Sequence, residues 1–145
     1  MHIDIRLAET SDIPSIFNIR TSVKENHLSL EQLAEIGITY ETIERAILEE
    51  PCLWIALVNN HPAGFSMADS SEGCVFAAFV SPAYEGIGIG RILMEKAEAF
   101  LFNHYTKIWL ETARNSRAED FYTKLGWIAT ESLPNGDIRF EKYQK

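Results

Sequence analysis

Three glycines on alternate positions, Gly86, Gly88 and Gly90, follow an apolar run (75–80) and Ser81–Pro82, and lead straight into an amphipathic stretch. Glycine lets a backbone approach a ligand closely, and a helix start leaves unpaired N–H groups at the positive end of its dipole. Together these features suit a phosphate or diphosphate. Arg91 adds a cation in the first turn, which opposes the dipole unless an anion lies nearby. The plainer alternative is a tight strand-to-helix turn whose glycines only permit packing.

Other chemistries fit less well. The dinucleotide fingerprint G-x-G-x-x-G fails in both frames, because its sixth position is Arg91 counted from Gly86 and Leu93 counted from Gly88. No G-K-[ST] tripeptide is present, so a Walker A loop is absent. Gly64–Phe65–Ser66–Met67–Ala68 resembles a nucleophile elbow without its second glycine, and it falls in a strand. His2, His27, His61 and His104 lack metal-ligand spacing to one another or to a cysteine, so no metal is expected. Cys52 and Cys74 lie in apolar runs and read as buried thiols rather than nucleophiles.

The elements around the glycine turn follow from periodicity. Residues 2–7 alternate as a strand, and Thr10, Ser11, Asp12 and Pro14 open a helix over about 12–24. Ser29 and Gln32 form a capping box, Gly37 interrupts, and a helical stretch from Thr39 ends at Pro51. Runs 52–58, 63–69 and 74–80 make an antiparallel meander, with a turn at Asn59–Pro62. Ile89, Leu93, Ala97, Phe100 and Leu101 line one face of a helix reaching about residue 103. A strand at 108–110 follows, then a Ser116–Glu119 capping box and a helix striped by Ala118, Phe121, Tyr122 and Leu125. Runs 127–133 and 137–143 flank Asn135–Gly136 as a hairpin. The order β-α-α-β-β-β-α-β-α-β-β describes one mixed α/β domain over residues 1–145.

Composition sets the frame. The chain has 145 residues, 46% of them hydrophobic, enough for one domain with a real core. Thirteen basic against 21 acidic residues give a net charge of −8, without the basic footprint of a nucleic-acid binder. A negative field favours cationic acceptors such as amines. No secretory signal or membrane-length apolar run is apparent, so neither nucleic acid nor membrane is an expected partner, and the cytoplasm is the expected setting.

The segment FVSPAYEGIGIGRILM resembles the acyl-CoA-binding pattern [RQ]-x-x-G-x-[GA] of the GNAT acetyltransferases. Gly88 and Gly90 match its glycines, whereas Glu85 stands where Arg or Gln is usual. Asn115, Ala118, Phe121, Tyr122, Leu125, Gly126 and Trp127 match the second signature in order, and Arg6, Ala8 and Asp12 agree with the family's start. The resemblance spans essentially the whole chain, with its specific motifs confined to residues 75–127.

It implies a GNAT-like α/β (α+β) fold, a mixed, mostly antiparallel sheet with helices on both faces. Acyl-CoA would lie in a splay between the fourth and fifth strands. Main-chain groups of Phe79 and Val80 would pair with the pantetheine arm. Amides of Gly86, Ile87, Gly88, Ile89, Gly90 and Arg91 would hold the diphosphate, and Asn115 would contact the pantetheine. Tyr122 would donate a hydrogen bond or proton to the departing thiolate; its simpler role is a core tyrosine. The implied reaction is direct acetyl transfer from acetyl-CoA to a primary amine of a small molecule or peptide, with the N–H of Val80 able to hold the oxyanion. Some relatives place a Glu base where Cys74 stands, so Glu111, Asp69 and Glu72 are the alternative carboxylates. Glu25 and Asn26 are candidate acceptor contacts. The other reading is a non-catalytic acyl-CoA sensor. A homodimer is compatible with the resemblance.

Overall fold

A computed structural model describes residues 1–24, 27–114 and 116–145. The elements are β1 (Ile3–Leu7), α1 (Ile13–Ser22), α2 (Leu30–Glu35), α3 (Tyr40–Glu49), β2 (Leu53–Val58), β3 (His61–Asp69) and β4 (Cys74–Val80). They continue with α4 (Ile89–Leu101), β5 (Lys107–Ala113), α5 (Arg117–Lys124), β6 (Ile128–Ser132) and β7 (Asp137–Tyr143). The expected order gains a helix, because Gly37, at φ +85°, ends α2 and Thr39 caps α3 separately.

The strands form one sheet in the order β1-β2-β3-β4-β5-β7-β6, antiparallel except for β4 beside β5. Helices cover both faces. On one, Ile13, Ile16, Ile19 and Ile43 from α1 and α3 pack on Leu53, Ile55 and Phe65. On the other, Ile89, Leu93, Met94, Ala97 and Leu101 of α4 and Tyr122 of α5 pack on Trp54, Ala56, Ile108 and Phe140. The alternation of β2 supplies both cores, which explains its apolar run.

Several local expectations are corrected. The β2–β3 turn is tighter than Asn59–Pro62: only Asn59 and Asn60 lie outside the pairing, at φ 49° and 69°, and His61 and Pro62 already belong to β3. Left-handed asparagines suit such two-residue hairpins. Asp12 does not cap α1 with its side chain; its carboxylate takes two hydrogen bonds from Arg6 (2.8 and 3.1 Å) and one from the Glu9 amide. Ser116 precedes α5, but its hydroxyl donates to the Ala113 carbonyl at 2.8 Å instead of capping the helix.

The decisive irregularity lies in β4. Met67 pairs with Ala77 and Ala68 with Val75, leaving Phe76 as a bulge. A bulge bends its strand and increases the local twist. The parallel neighbours β4 and β5 accordingly share one register pair, Cys74↔Trp109. That end is held by Trp109, whose amide donates to Gly73 O and whose Nε1 donates to Glu72 O. Beyond it the strands diverge into a V.

α4 is anchored beside this opening by a buried carboxylate. Glu98 accepts from Trp127 Nε1 at 3.1 Å and from Lys142 Nζ at 2.6 Å, tying α4 to the end of α5 and to β7. Removing it leaves the buried Trp127 N–H unpaired and the Lys142 ammonium, which also donates to Leu125 O at 2.9 Å, without its counter-charge. Glu98→Ala is therefore expected to lower unfolding stability by about 3 kcal/mol, read from the urea midpoint. A loss below about 0.5 kcal/mol, the scale of an ordinary surface substitution, would discount the anchor.

Candidate active site

Two clefts meet in the V. The first, about 410 Å³, lies on the α4–α5 side; the β4 backbone, Glu85, Gly86, Gly88–Arg91, Arg117, Ala118, Phe121 and Tyr122 contribute to its wall. The second, about 430 Å³, opens on the α1 side between Phe17, Arg20, Ile38, Phe65 and Trp109. Val75, Phe76, Ala77, Phe79 and Glu111 line both. A ligand in one cleft can therefore meet a ligand in the other at the bulge.

The outer edge of β4 supplies polar groups. Ser81 N–H donates to Ala63 O, and Phe65 pairs with Phe79 in the same register. Antiparallel alternation then turns the N–H and C=O of Phe79 toward β3, and those of Ala78 and Val80 outward into the V. The main-chain groups of Phe79 thus face β3 and not the V, where the sequence reading expected them, and Phe79 lines both clefts. Arg20 lies over the Phe79 ring at 4.2 Å from its centroid. Ala78, which the sequence reading did not single out, lines the first cleft with its main chain turned to the V; that phase is visible only once β4 is paired with β3.

The glycine turn has the geometry its composition suggests. Gly86 and Gly88 adopt φ of 81° and 93°, and Gly88 caps α4. Such angles are costly for residues with a Cβ. Gly90 has another reason: a Cβ there would come within 3.2 Å of the Phe121 ring. Among the described residues, no hydrogen bond occupies the amides from Gly86 to Arg91, which leaves donors at the positive end of a 13-residue helix. Ile87 lies outside the cleft wall and shows its side chain to solvent, so only its backbone can take part. Arg91 lines the cleft while pairing with Glu95 at 3.5 Å. Asn115, Glu25 and Asn26 lie outside the described residues.

Tyr122 lines the first cleft from α5. Its ring packs edge-on against Phe121 and Trp127 and tilted against Phe140, while its hydroxyl has no hydrogen-bond partner among the described residues. Burial pushes the phenol up to about 12. It therefore stays protonated through neutral pH, as a hydrogen-bond donor.

The carboxylates separate clearly. Asp69 is occupied by the Ser71 amide and hydroxyl, at 3.0 and 2.7 Å, and Glu72 belongs to the same turn. Neither lines a cleft, whereas Glu111 lines both. The thiols are poor nucleophiles: burial, with nearby carboxylates, pushes Cys52 up to about 11 and Cys74 up to about 12. Ser66 is buried and donates to Leu93 O at 3.0 Å, which makes it a tie between β3 and α4. Among the described residues no cluster of potential metal ligands is present, and no helix is long and apolar enough to cross a membrane.

Known proteins resemble this chain in sequence and in fold. The peptidyl-lysine N-acetyltransferase YjaB of Escherichia coli (strain K12) is 28% identical over 126 residues, 86% of this chain and 80% of that protein. The protein of the same name from Salmonella typhimurium is 30% identical over 134 residues, 90% of this chain and 86% of its own length. The PaiA N-acetyltransferase of Thermoplasma acidophilum, solved in complex with coenzyme A, matches the fold with a TM-score of 0.81. That match covers 99% of this chain and 100% of the other at 18% identity. The acetyltransferase (GNAT) profile matches residues 13–127, a span that takes in β4, the glycine turn and α5; the chain belongs to the GNAT family and is an acyltransferase.

Proposed function

We propose that this enzyme transfers an acetyl group from acetyl-CoA to the side-chain amine of a peptidyl lysine. The observation that carries the reading is the meeting of two clefts at Phe76 and Glu111, one walled by a glycine turn with unoccupied amides among the described residues and the other open on the α1 face. The YjaB relatives, named for peptidyl-lysine acetylation, support the acceptor class.

Residues on the cofactor side fit the donor. The amides of Gly86–Arg91 would take its diphosphate, and the outward main-chain groups of Ala78 and Val80 would pair with its pantetheine arm. Acetyl-CoA supplies the activated thioester. Glu111 would accept the proton that an incoming ammonium must lose before its nitrogen can attack. The Val80 N–H, aimed into the V, would bind the acyl oxygen as negative charge builds there. Tyr122 would donate to the departing sulfur. Forming the C–N bond and breaking the C–S bond, with the attacking nitrogen's second proton passing to the departing sulfur, gives an amide and the free thiol.

The test uses the full chain with acetyl-CoA and a panel of N-terminally blocked lysine peptides, the same peptides with lysine replaced by arginine, and small amines including a polyamine. Thiol release with one acetyl added to a lysine peptide, and none to its arginine counterpart, supports the reading. Turnover confined to the small amines would overturn the acceptor class, and no acetyl-CoA binding at millimolar concentration would overturn the donor.

A further inference from the structure

A carboxylate stands where a diphosphate-binding loop would ordinarily present Arg or Gln, and left alone Glu85 would repel a polyanion. The structure shows how that charge is met. Arg117, the first residue of α5, donates Nη1 to Glu85 Oε2 at 2.9 Å and Nη2 to Oε1 at 3.0 Å. Both residues line the first cleft, one from the loop ahead of α4 and the other from α5. This two-pronged pair therefore ties opposite walls of the cleft together.

The location of the arginine is unusual on helix grounds. A cation at the first position of α5 opposes the helix dipole, which Glu119 and Asp120 in the same turn favour. Its guanidinium instead points across to the loop whose next residues, Gly86–Arg91, have unoccupied amides among the described residues. A guanidinium fork matches phosphate oxygens as well as carboxylate oxygens. The Glu85 carboxylate thus shows where Arg117 can grip an anion, beside donors that also call for one. Exposure favours exchange: the side chains of Arg117 and Glu85 are 71% and 36% exposed, and pairs of that kind are weakly held.

We infer that Arg117 is a phosphate ligand for the acyl-CoA donor, held ready by Glu85 and released from it when a phosphate enters. The side-chain contact that the family pattern assigns to the loop is here moved across the cleft to α5. The inference rests on the donor reading above, because it needs CoA in this cleft. Glu85 acts as a placeholder and competitor, so its loss and the loss of Arg117 have opposite effects.

Calorimetric titration of the full chain with CoA and with 3′-dephospho-CoA tests this. Arg117→Ala is expected to weaken CoA about tenfold, the scale of one charge-assisted contact. Glu85→Gln, which restores an uncharged family residue, is expected to tighten CoA about threefold. A penalty that vanishes with 3′-dephospho-CoA assigns the contact to the 3′-phosphate, and one that persists assigns it to the diphosphate; both support Arg117 as the ligand. Arg117→Lys, keeping charge without the fork, should recover part of the affinity and provides a second measurement if the alanine variant loses stability. Variants Arg117→Ala and Arg117→Lys that both bind within twofold of wild type overturn the inference. So does weaker binding by Glu85→Gln, which would make the pair a structural clamp. Wild-type protein that fails to bind CoA overturns the donor reading as well, so the two failures are distinguishable.

Discussion

Tyr122→Phe is expected to lower kcat roughly 100-fold, the range for removing one donor to charge developing in a transition state, while leaving the KM for acetyl-CoA within about twofold. The substitution removes one oxygen and keeps the ring against Phe121, Trp127 and Phe140, so packing is retained. The hydroxyl has no hydrogen-bond partner among the described residues to lose, so the thermal midpoint should hold while turnover falls. A purely structural tyrosine would leave turnover unchanged. The phenol, pushed up to about 12 by burial, is a weaker acid than an ordinary thiol near 8.5. Hydrogen-bond donation to the sulfur is therefore favoured over full proton transfer ahead of C–S cleavage. The same shift has a sign that can be checked. A protonated donor is the active form, so no loss attributable to Tyr122 should appear as pH rises from 7 to 10. A falling limb near pH 9 that Tyr122→Phe abolishes would contradict this assignment, as would wild-type turnover by that variant.

Much of the fold was legible because it is written locally. The stripe through Ile89, Leu93, Ala97 and Leu101 is the buried face of α4, and Ser29 and Gln32 form the reciprocal cap the pattern predicts. Glycines 86 and 88 marked a tight strand-to-helix turn, and the structure adds that both take left-handed backbone there. Less legible were features created by pairing between distant segments. The bulge at Phe76 exists only relative to Met67 and Ala68 on β3, and it sets both the V and the orientation of Phe79 and Val80. The sequence shows Glu85 as a departure from a pattern; its compensation by Arg117, 32 residues away, requires α5 to be in place. Ser116 illustrates competition within one turn, where the carbonyl of Ala113 takes the hydroxyl that a capping box would use. In the same way, three carboxylates with equal standing in the sequence divide once Asp69 and Glu72 fall in the β3–β4 turn and Glu111 in the V.

Glu111→Ala is expected to reduce kcat/KM for a lysine peptide about 100-fold at pH 7, the scale of a lost general base. The reason lies in the strand. Ile108, Leu110 and Thr112 of β5 are buried on the α4–α5 side, which leaves Trp109 and Glu111 on the opposite phase, facing the second cleft. Beyond Cys74↔Trp109, β4 is not paired with β5, so Glu111 borders the gap where the clefts join. A lysine amine is protonated at neutral pH, with an ordinary pKa of about 10.4, and it is inert until it loses that proton. Without Glu111 the neutral fraction must come from solution, so the variant's rate should climb about tenfold per pH unit toward that value. The wild-type enzyme should climb much less steeply over the same interval. Acetyl-CoA affinity, which the proposal assigns to the glycine turn and the β4 edge, should be unchanged. This pattern separates a proton acceptor from a residue that only shapes the groove: loss of groove shape would lower activity by the same factor at every pH. A pH-independent deficit, or full activity at pH 7, would remove Glu111 from the reaction and leave an ordered water chain through the V to take the proton.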